Sequence, residues 1–237
     1  MSNKYEFLPW DSDFFGFGVG RINNSIDYKE LSSIAQEGKK NSIRLFYYLT
    51  LVEQDINLLN SHFRIARLVD KKVLFYKKNL IPKVYDDNKV NEYFKKAPNK
   101  DMYALAIESG MYSRFKVDPE IPNGKFEELY RIWIENSVNK KKADKVFYTG
   151  SLKKLSGIVT IEKLQHVAKI GLLSVDSKFR GQKLGSYLMY CCENYCVKNN
   201  LIRLDVYTQA DNHTACSFYS SNGFEIDNIK YVYHLWI

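Results

Sequence analysis

The stretch from residue 170 to residue 186 reads Ile170-Gly171-Leu172-Leu173-Ser174-Val175-Asp176-Ser177-Lys178-Phe179-Arg180-Gly181-Gln182-Lys183-Leu184-Gly185-Ser186. The apolar segment that ends at Val175 predicts a buried strand, and residues 182–199 predict a long helix. The first turn of a helix carries free backbone N–H groups and the positive end of a dipole. This strand–loop–helix unit therefore predicts a phosphate-binding site at the start of the helix.

Two glycines and two cations in the same loop support that prediction. Gly181 and Gly185 allow a bulky anion to approach the backbone closely, because they carry no Cβ. Arg180 and Lys183 add positive charge at the same point of the chain. The ligand that we expect here is therefore a phosphate-containing molecule.

A second informative stretch follows closely in the chain. It reads Asp205-Val206-Tyr207-Thr208-Gln209-Ala210-Asp211-Asn212-His213-Thr214-Ala215-Cys216-Ser217-Phe218-Tyr219-Ser220-Ser221-Asn222-Gly223-Phe224. Here a predicted strand gives way to a loop that contains Asn212, then to a short helix that contains Tyr219, then to Gly223.

Together these stretches resemble two motifs of the GCN5-related N-acetyltransferase (GNAT) superfamily. Its acyl-CoA-binding motif, Arg/Gln-x-x-Gly-x-Gly/Ala, is matched at its ends by Arg180 and Gly185, whereas Lys183 stands in place of the middle glycine. A lysine there still offers its backbone N–H but restricts how closely a ligand approaches. The resemblance implies an α/β fold with a mixed sheet, the GNAT acyl-CoA N-acyltransferase fold, preceded by a smaller α/β N-terminal domain.

The resemblance also implies a cofactor site and a catalytic acid. It implies that acetyl-CoA is the co-substrate, that Asn212 contacts it, and that a backbone N–H in residues 173–175 stabilises the oxyanion. Tyr219 matches the tyrosine that lies near the thioester sulfur. The cofactor-binding residues that we predict are Leu173, Ser174, Val175, Arg180, Gly181, Gln182, Lys183, Leu184, Gly185, Ser186 and Asn212.

Tyr219 suits the chemistry of the leaving group. A thiol has a pKa of about 8.5 and a tyrosine one of about 10, so a tyrosine hydroxyl can protonate the departing thiolate with a small uphill step. We predict Tyr219 as the catalytic acid, although a chain with 18 tyrosines also allows it to be a core residue. No histidine or carboxylate stands out as the base.

Three further segments resemble the dTDP-fucosamine acetyltransferase branch of the superfamily. They are Trp10–Phe17, Ser109–Phe115 and Leu129–Ser137. The resemblance implies acetylation of the amino group of a dTDP-linked 4-amino-4,6-dideoxyhexose for surface-polysaccharide biosynthesis. The Trp-Asp-x-x-Phe-Phe-Gly element also occurs in acetyltransferases of other substrates, and residues 23–100 match only loosely.

Two residues of the second segment, Tyr112 and Arg114, are predicted to bind the acceptor substrate. The guanidinium of Arg114 can hold a nucleotide diphosphate through two parallel hydrogen bonds. An ordinary ion pair is the alternative for Arg114. The aromatic residues of the first segment, Trp10, Phe14, Phe15 and Phe17, either stack on a thymine or form the core of the N-terminal part.

A polar stretch over residues 79–100 suggests a domain junction. We therefore predict a small N-terminal α/β domain over residues 1–95 and a GNAT domain over residues 101–237. The predicted strands include 43–52, 71–77, 102–107, 145–149, 156–162, 166–175, 202–207, 224–227 and 231–236. The predicted helices are 27–40, 54–61, 124–139 (capped by Asn123), 182–199 and 214–221, and a polar turn is expected at 8–11.

The composition limits the partners. The chain has 237 residues, 45% hydrophobic and 15% aromatic, which excludes intrinsic disorder. The net charge of +8 is spread along the chain without a basic tail, so we expect no nucleic-acid partner. No stretch approaches the roughly 20 apolar residues of a membrane span, and no secretory signal begins the chain. We expect a soluble cytoplasmic enzyme, with no membrane association and with a homodimer as a possible assembly.

The four cysteines and four histidines show no metal-ligand spacing, so no metal is expected. Two other functions remain open beside acetylation of a nucleotide-linked amino sugar. The same fold can acetylate another amine, such as a polyamine, an antibiotic or a protein N-terminus. It can also serve as a non-catalytic acyl-CoA-binding module, with Lys183 weakening the cofactor loop.

Overall fold

The computed structural model describes residues 4–22, 28–84 and 86–237. Ten strands and eight α-helices follow one another in these ranges. The strands are β1 (Tyr5–Phe7), β2 (Gly18–Ile22), β3 (Ile43–Thr50), β4 (Ile65–Lys77), β5 (Val90–Glu92), β6 (Lys145–Ser151), β7 (Lys154–Leu164), β8 (Val167–Val175), β9 (Arg203–Gln209) and β10 (Glu225–Trp236). The helices are α1 (Pro9–Phe15), α2 (Tyr28–Lys40), α3 (Ile56–Asn60), α4 (Lys100–Ser109), α5 (Arg114–Val117), α6 (Lys125–Val138), α7 (Leu184–Lys198) and α8 (His213–Ser221).

All ten strands form one mixed sheet in the order β1-β2-β3-β10-β4-β9-β8-β7-β6-β5. Among these described strands, only β2 with β3 and β8 with β9 pair in parallel. The last strand, β10, lies between β3 and β4, so the C-terminal end of the chain completes the N-terminal part of the sheet. The predicted α/β class with a mixed sheet is confirmed. The division into domains at residues 95 and 101 stays a prediction. One continuous sheet contains strands from both predicted domains.

Helices pack on both faces of the sheet. The cluster under α7 and α8 includes Leu188, Cys192 and Tyr219, packed on β8 and β9, whereas α4 and α6 contribute Leu105 and Ile134 to a second cluster. Two further clusters hold α2, α3 and α1 against β3 and the end of β10. The three cysteines of α7 are buried among apolar side chains, where a thiol packs as a small apolar group.

The segment 102–107 was predicted as a strand, and this was wrong, because it belongs to helix α4. The Asn99 side chain accepts a hydrogen bond from the Met102 backbone N–H at 2.9 Å and caps the helix. Met102, Leu105 and Ala106 are buried on one side of it, at helical spacing. A short continuous apolar run such as 102–107 fits a buried strand as well as a buried helix, so the run alone did not reveal the helical period.

Other boundaries also differ. The expected turn at 8–11 begins helix α1, which starts with Pro9 in its first turn. The expected strands 224–227 and 231–236 are one strand, because a register shift between Ile226 and Asn228 lets pairing with β4 continue. Gly124 rather than Asn123 caps α6, without a side-chain hydrogen bond. For the helix predicted over 27–40, residue 27 lies outside the described residues.

Candidate active site

Strands β8 and β9 separate at the centre of the sheet. They pair in parallel only from Val167 with Arg203 to Ile170 with Val206. Beyond this point β8 runs on to Val175 along β7, and β9 runs on to Gln209 along β4. The opening between the two strands exposes backbone of residues 171–175, and both cavities described below meet there.

The loop after β8 leads into a helix start that no side chain caps. A short 3₁₀ turn, Ser177–Phe179, is closed by Asp176, whose side chain accepts from the Lys178 N–H at 2.9 Å. Helix α7 begins at Leu184, two residues later than predicted, because Lys183 adopts a left-handed conformation with φ of 59°. The free N–H groups of this first turn therefore stay available to an anion.

The positive φ of Lys183 explains why the family motif has a glycine at this position. A left-handed conformation is strained for a residue with a Cβ, at a cost of about 1–2 kcal/mol. Gly181 also has a positive φ, 78°, and a Cβ placed there would meet nothing within 4 Å. The loop therefore keeps the backbone path of the motif even though it carries lysine at the middle position.

Gly185 has a packing role as well as an open backbone. A Cβ at this position would lie 3.1 Å from the ring of Phe218 on α8. The absence of a side chain lets α7 and α8 approach each other beside the loop. The spacing of the motif thus sets the helix packing in addition to the access of a ligand.

A cleft of about 510 Å³, here called the loop cleft, follows the loop and the opening between the strands. Ten of the eleven predicted cofactor-binding residues line it, and Gln182 does not. Tyr219 and Tyr112 line it too. The cleft is lined by Glu108, Ser109, Tyr112, Leu173, Ser174, Val175, Phe179, Arg180, Gly181, Lys183, Leu184, Gly185, Ser186, Asn212, Thr214, Ala215, Phe218 and Tyr219.

Arg180 is already engaged within the protein. Its guanidinium contacts Glu108 at 2.5 Å and donates from Nε to the Val175 carbonyl at 3.1 Å. The side chain is about half exposed. Arg180 therefore ties the loop to helix α4, and its charge toward a phosphate is partly neutralised by Glu108.

Asn212 and Tyr219 both lie where β9 opens away from β8. The Asn212 side chain caps α8 by accepting from the Ala215 N–H at 3.1 Å. The ring of Tyr219 packs against Phe75 and Phe224, with centroids 5.6 and 5.9 Å apart. Burial raises the pKa of the Tyr219 hydroxyl above its usual value, so the hydroxyl stays protonated.

A second cavity, of about 540 Å³, lies beside the loop cleft and is here called the charged cavity. Arg114 lines it, whereas Tyr112 does not. It shares Leu173, Asn212 and Tyr219 with the loop cleft. The charged cavity is lined by Arg21, Leu49, Asp70, Lys72, Ser109, Ser113, Arg114, Phe115, Tyr130, Trp133, Lys169, Ile170, Gly171, Leu172, Leu173, Val206, Tyr207, Thr208, Gln209, Asn212, Ala215, Tyr219 and Val232.

Arg114 is held over an aromatic platform rather than by a carboxylate. Its guanidinium lies 4.0 Å from the ring centroid of Tyr47 and 4.5 Å from that of Phe115. Within residues 4–22, 28–84 and 86–237, no carboxylate lies within ion-pair distance of it. The pKa of Arg114 is lowered by burial. The ordinary ion pair considered from the sequence is therefore absent from the described structure.

A buried hydrogen-bonded group supports this platform. His234 Nδ1 contacts Asp118 Oδ2 at 2.6 Å, and the Trp236 indole donates to the same oxygen at 3.0 Å. Burial lowers the pKa of His234 to about 4, so the imidazole is neutral. Its ring stacks on Tyr47, with centroids 5.1 Å apart. The platform under Arg114 is thus fixed by polar groups deep in the fold.

Sequence reasoning missed Asp70 and Lys72, which β4 places in the charged cavity. Burial raises the pKa of Asp70 to about 6. Burial, together with the charges of Arg114 and Lys169, lowers the pKa of Lys72 to about 8. The available signal was their spacing, since residues two apart in a strand share a face.

The aromatic residues of the first segment are mainly core. Phe15 is buried and packs against Phe115 and Phe17. Trp10 stacks on Phe14 but is 54% exposed. None of these four residues lines the charged cavity.

The search for metal sites and membrane spans covered the described residues. Among them, no group of three or more histidine, cysteine, aspartate or glutamate side chains is placed to hold a metal ion. No described helix combines the length and apolar character that crossing a membrane requires.

Comparison with known families accounts for this geometry. Residues 110–224 match the family model described as the acetyltransferase (GNAT) family. Residues 110–224 belong to the GNAT family. The chain is accordingly an acetyl-CoA-dependent N-acetyltransferase. The match includes the strand opening, Tyr219 and every residue that lines the loop cleft except Glu108 and Ser109. A comparison with curated proteins finds no significant match.

Solved structures share the fold over nearly the whole chain. A conserved protein of unknown function from Staphylococcus epidermidis is 14% identical, with TM-score 0.67, covering 100% of this chain and 92% of that one. A GCN5-related N-acetyltransferase from Sphaerobacter thermophilus is 11% identical, with TM-score 0.57 and coverage of 92% and 72%. A tandem GNAT protein from the clavulanic acid biosynthesis pathway is 12% identical, with TM-score 0.56 and coverage of 91% and 74%. At these identities the likeness shows the fold alone.

The residues of the loop cleft fit acetyl-CoA as the donor. The uncapped start of α7 and the open backbone at Gly181 suit a pyrophosphate. The opening between β8 and β9 leads from there to Tyr219. When bound, acetyl-CoA supplies the activated acetyl group.

Replacing Lys183 tests the strain in the loop. We expect Lys183→Gly to unfold with a free energy about 0.5–1 kcal/mol higher than Lys183→Ala. The relief of about 1–2 kcal/mol of strain exceeds the entropy cost of glycine, about 0.5–1 kcal/mol. Both variants remove the charge, so urea denaturation of the pair isolates the backbone effect. At Lys178, inside the 3₁₀ turn, the glycine variant should instead be less stable than the alanine variant. If the glycine variant were the more stable one at both positions, the strain assigned to Lys183 would be contradicted.

Proposed function

We propose that the enzyme transfers acetyl from acetyl-CoA to the amino group of a nucleotide-linked amino sugar, of the dTDP-4-amino-4,6-dideoxyhexose type. The observation that carries this proposal is the charge of the charged cavity. In the described part of the chain it is lined by four cations, Arg21, Lys72, Arg114 and Lys169, and by a single carboxylate, Asp70. A diphosphate is an acceptor group that such a cavity attracts.

The availability of these cations supports the proposal. Arg114 presents its guanidinium without a carboxylate partner in the described structure and can form two parallel hydrogen bonds to a diphosphate. Arg21 contacts Glu6 at 3.4 Å on the surface, with both side chains at least half exposed. Such an exposed contact is weak, so Arg21 can also turn to an anionic ligand.

Aromatic side chains in the same cavity suit a base or a sugar ring. Phe115, Trp133 and Tyr207 line it beside the cations. The ring of Tyr207 also lies under the Lys72 ammonium, 4.4 Å from its centroid. An acceptor with an anionic middle and flat or ring-shaped ends uses both kinds of contact.

The two cavities divide the reaction between them. Acetyl-CoA is proposed to lie in the loop cleft on residues 173–175, the loop 180–186 and Asn212, with the acceptor amine entering from the charged cavity. A backbone N–H of residues 173–175 is proposed to stabilise the oxyanion. Tyr219 lines both cavities and is proposed to protonate the sulfur.

The other two functions fit less well. A polyamine carries several positive charges, and the four cations of the charged cavity repel them. A non-catalytic acyl-CoA-binding module needs neither a second cavity at the acetyl position nor a protonated tyrosine there. The proposed substrate class also agrees with a role in surface-polysaccharide assembly.

A panel of acceptors tests the proposal. Release of the free thiol from acetyl-CoA is measured with dTDP- and UDP-linked amino sugars, the same amino sugars without nucleotide, and polyamines. We expect turnover with a nucleotide sugar and at least tenfold lower kcat/KM for the free sugar. Faster turnover of a polyamine would overturn the substrate class, and acetyl-CoA binding without turnover of any amine would favour the binding module.

Arg114→Lys should weaken the acceptor specifically. Lysine keeps the charge but loses the planar fork and the stacking on Tyr47. Hydrogen bonds to charged groups contribute about 1.5–3 kcal/mol, so we expect the KM of the nucleotide sugar to rise at least tenfold. The KM of acetyl-CoA should not change. Arg131→Lys, another arginine that lies over a ring, 5.3 Å from Tyr103, is the matched control outside both cavities. An equal effect of both variants would contradict a role in acceptor binding.

A further inference from the structure

The charged cavity holds one group suited to take a proton. Among the described residues that line it, Asp70 is the single carboxylate and none is a histidine. Strands β8 and β9, which form the opening, offer no alternative. Strand β8 has no acidic residue, and Asp205, the single acidic residue of β9, is engaged by Arg203 through a short contact.

The fold places Asp70 inside the cavity from the N-terminal half of the chain. Asp70 pairs with Val232 of β10 next to a register shift in that ladder. Only 8% of the residue is exposed. The Gln209 side chain, at the end of β9, hydrogen-bonds its carboxylate, while Oδ1 has no partner in the described structure.

An incompletely partnered buried carboxylate is costly and therefore needs an explanation. We propose that the Asp70 carboxylate accepts the proton that the acceptor amine loses during acetylation. This inference rests on the proposed function, since it concerns the same cavity. It assigns the proton acceptor to strand β4, which lies outside the residues 110–224 of the family match.

The step balances with Tyr219 as the acid. The lone pair of the neutral amine attacks the thioester carbonyl carbon, the N–C bond forms and the C–S bond breaks. One proton passes from nitrogen to Asp70, and the thiolate takes the proton of the Tyr219 hydroxyl. Transfer of the proton from Asp70 through solvent to the tyrosinate restores the enzyme, and the products are the amide and the free thiol of coenzyme A.

The charges around Asp70 come from every neighbouring element. Lys72 and Arg114 favour the ionised carboxylate and Asp211 opposes it, but burial is the largest influence and raises the pKa to about 6. Other groups near it are Arg21 and Lys169 of the charged cavity and Tyr130 of α6. Arg67 and Lys71 also lie near it, since they line a third cavity, of about 520 Å³, together with Asp70. Asp70 is thus ionised above about pH 6 and can act as a base at neutral pH.

The test compares Asp70→Asn with Asp211→Asn. Asparagine keeps the shape and can still accept from Gln209, and it removes a buried charge, so Asp70→Asn should fold. Asp211 is exposed, lies near Asp70 and does not line the charged cavity, which makes it a matched control. We expect Asp70→Asn to lower kcat about 10²-fold, the lower end for acid–base catalysis, because the surrounding cations also keep the acceptor amine deprotonated. Asp211→Asn should stay within about twofold.

The pH profile separates a base from a structural residue. The wild-type kcat should fall as the pH drops through about 6, and Asp70→Asn should lose this acidic limb at an unchanged KM for acetyl-CoA. The assay uses whichever amine of the panel turns over fastest, so failure of the nucleotide sugars alone leaves Asp70 testable. If no amine reacts, infrared titration of the isotope-labelled aspartates is the readout. A missing transition near pH 6, or an unchanged limb in Asp70→Asn, overturns the proposal.

Discussion

Tyr219→Phe is expected to lower kcat by about 10²–10⁴-fold and to leave the KM of acetyl-CoA unchanged. Only the hydroxyl is removed, and the phenylalanine ring keeps the contacts with Phe75, Phe218 and Phe224. Acid catalysis by a positioned side chain contributes about this factor. The thiolate then departs without a proton from the protein, which slows C–S cleavage but not binding. Steady-state kinetics by thiol release measures both constants.

Two controls make this prediction specific. Tyr76→Phe removes an exposed hydroxyl that donates to Glu225 at 2.6 Å. Tyr76 lines neither cavity, so this variant should keep normal turnover. An acetyl-CoA analogue whose thiol is made more acidic by electron-withdrawing groups should restore part of the rate of Tyr219→Phe. Near-normal kcat in a folded Tyr219→Phe protein would eliminate the acid role and leave Tyr219 as a core residue.

The raised pKa of Tyr219 has a consequence for the pH range. Because burial favours the neutral phenol, the hydroxyl remains protonated at every pH at which the protein is assayed. Loss of activity at low pH must therefore come from groups that gain protons, such as Asp70, rather than from the tyrosine. The pH profiles of the two variants should therefore differ in shape as well as in rate. The profile of Tyr219→Phe keeps the acidic limb that the profile of Asp70→Asn loses.

Much of the loop cleft could be predicted from sequence because its residues are close together in the chain. A strand, a loop with Gly181 and a helix form a local unit, and the backbone fixes their relation. The same locality explains why Asn212 and Tyr219 were found, since both belong to the strand–loop–helix unit after β9. Arg180 is the partial exception, since its partner Glu108 is remote in sequence.

The charged cavity could not be predicted in the same way, because its parts meet only through long-range pairing. Asp70 and Lys72 enter it because β4 lies between β9 and β10, a neighbourhood that no local pattern reveals. The helix at 100–109 was missed for a different reason. Its continuous apolar run fits a buried strand as well as a buried helix. The Asn99 cap and the burial on one side identify the helix.

Lys77→Met is expected to lower the free energy of unfolding by about 3–5 kcal/mol, the largest stability effect that we predict. Lys77, at the end of β4, contacts Glu193 of α7 at 2.8 Å, with side-chain exposures of 16% and 1%. It also donates to the Asn222 carbonyl at 2.8 Å. Methionine has a similar shape, but it leaves the buried Glu193 carboxylate without its cation, and breaking a buried pair costs about this much. Urea denaturation measures the change.

The double variant Lys77→Met/Glu193→Leu decides the cause. Replacing both members of a buried ion pair by apolar residues is often neutral or stabilising, so the double variant should be more stable than Lys77→Met alone. Lys154→Met, which breaks a contact with Asp101 at a 61% exposed lysine, should cost at most about 1 kcal/mol.

Lys77 and Glu193 join the N-terminal half of the chain, which includes β4, to α7 in the C-terminal half. Because of this contact, we expect the two halves to unfold in one transition. Two separate transitions, with Lys77→Met acting on neither, would show that this pair does not couple the halves.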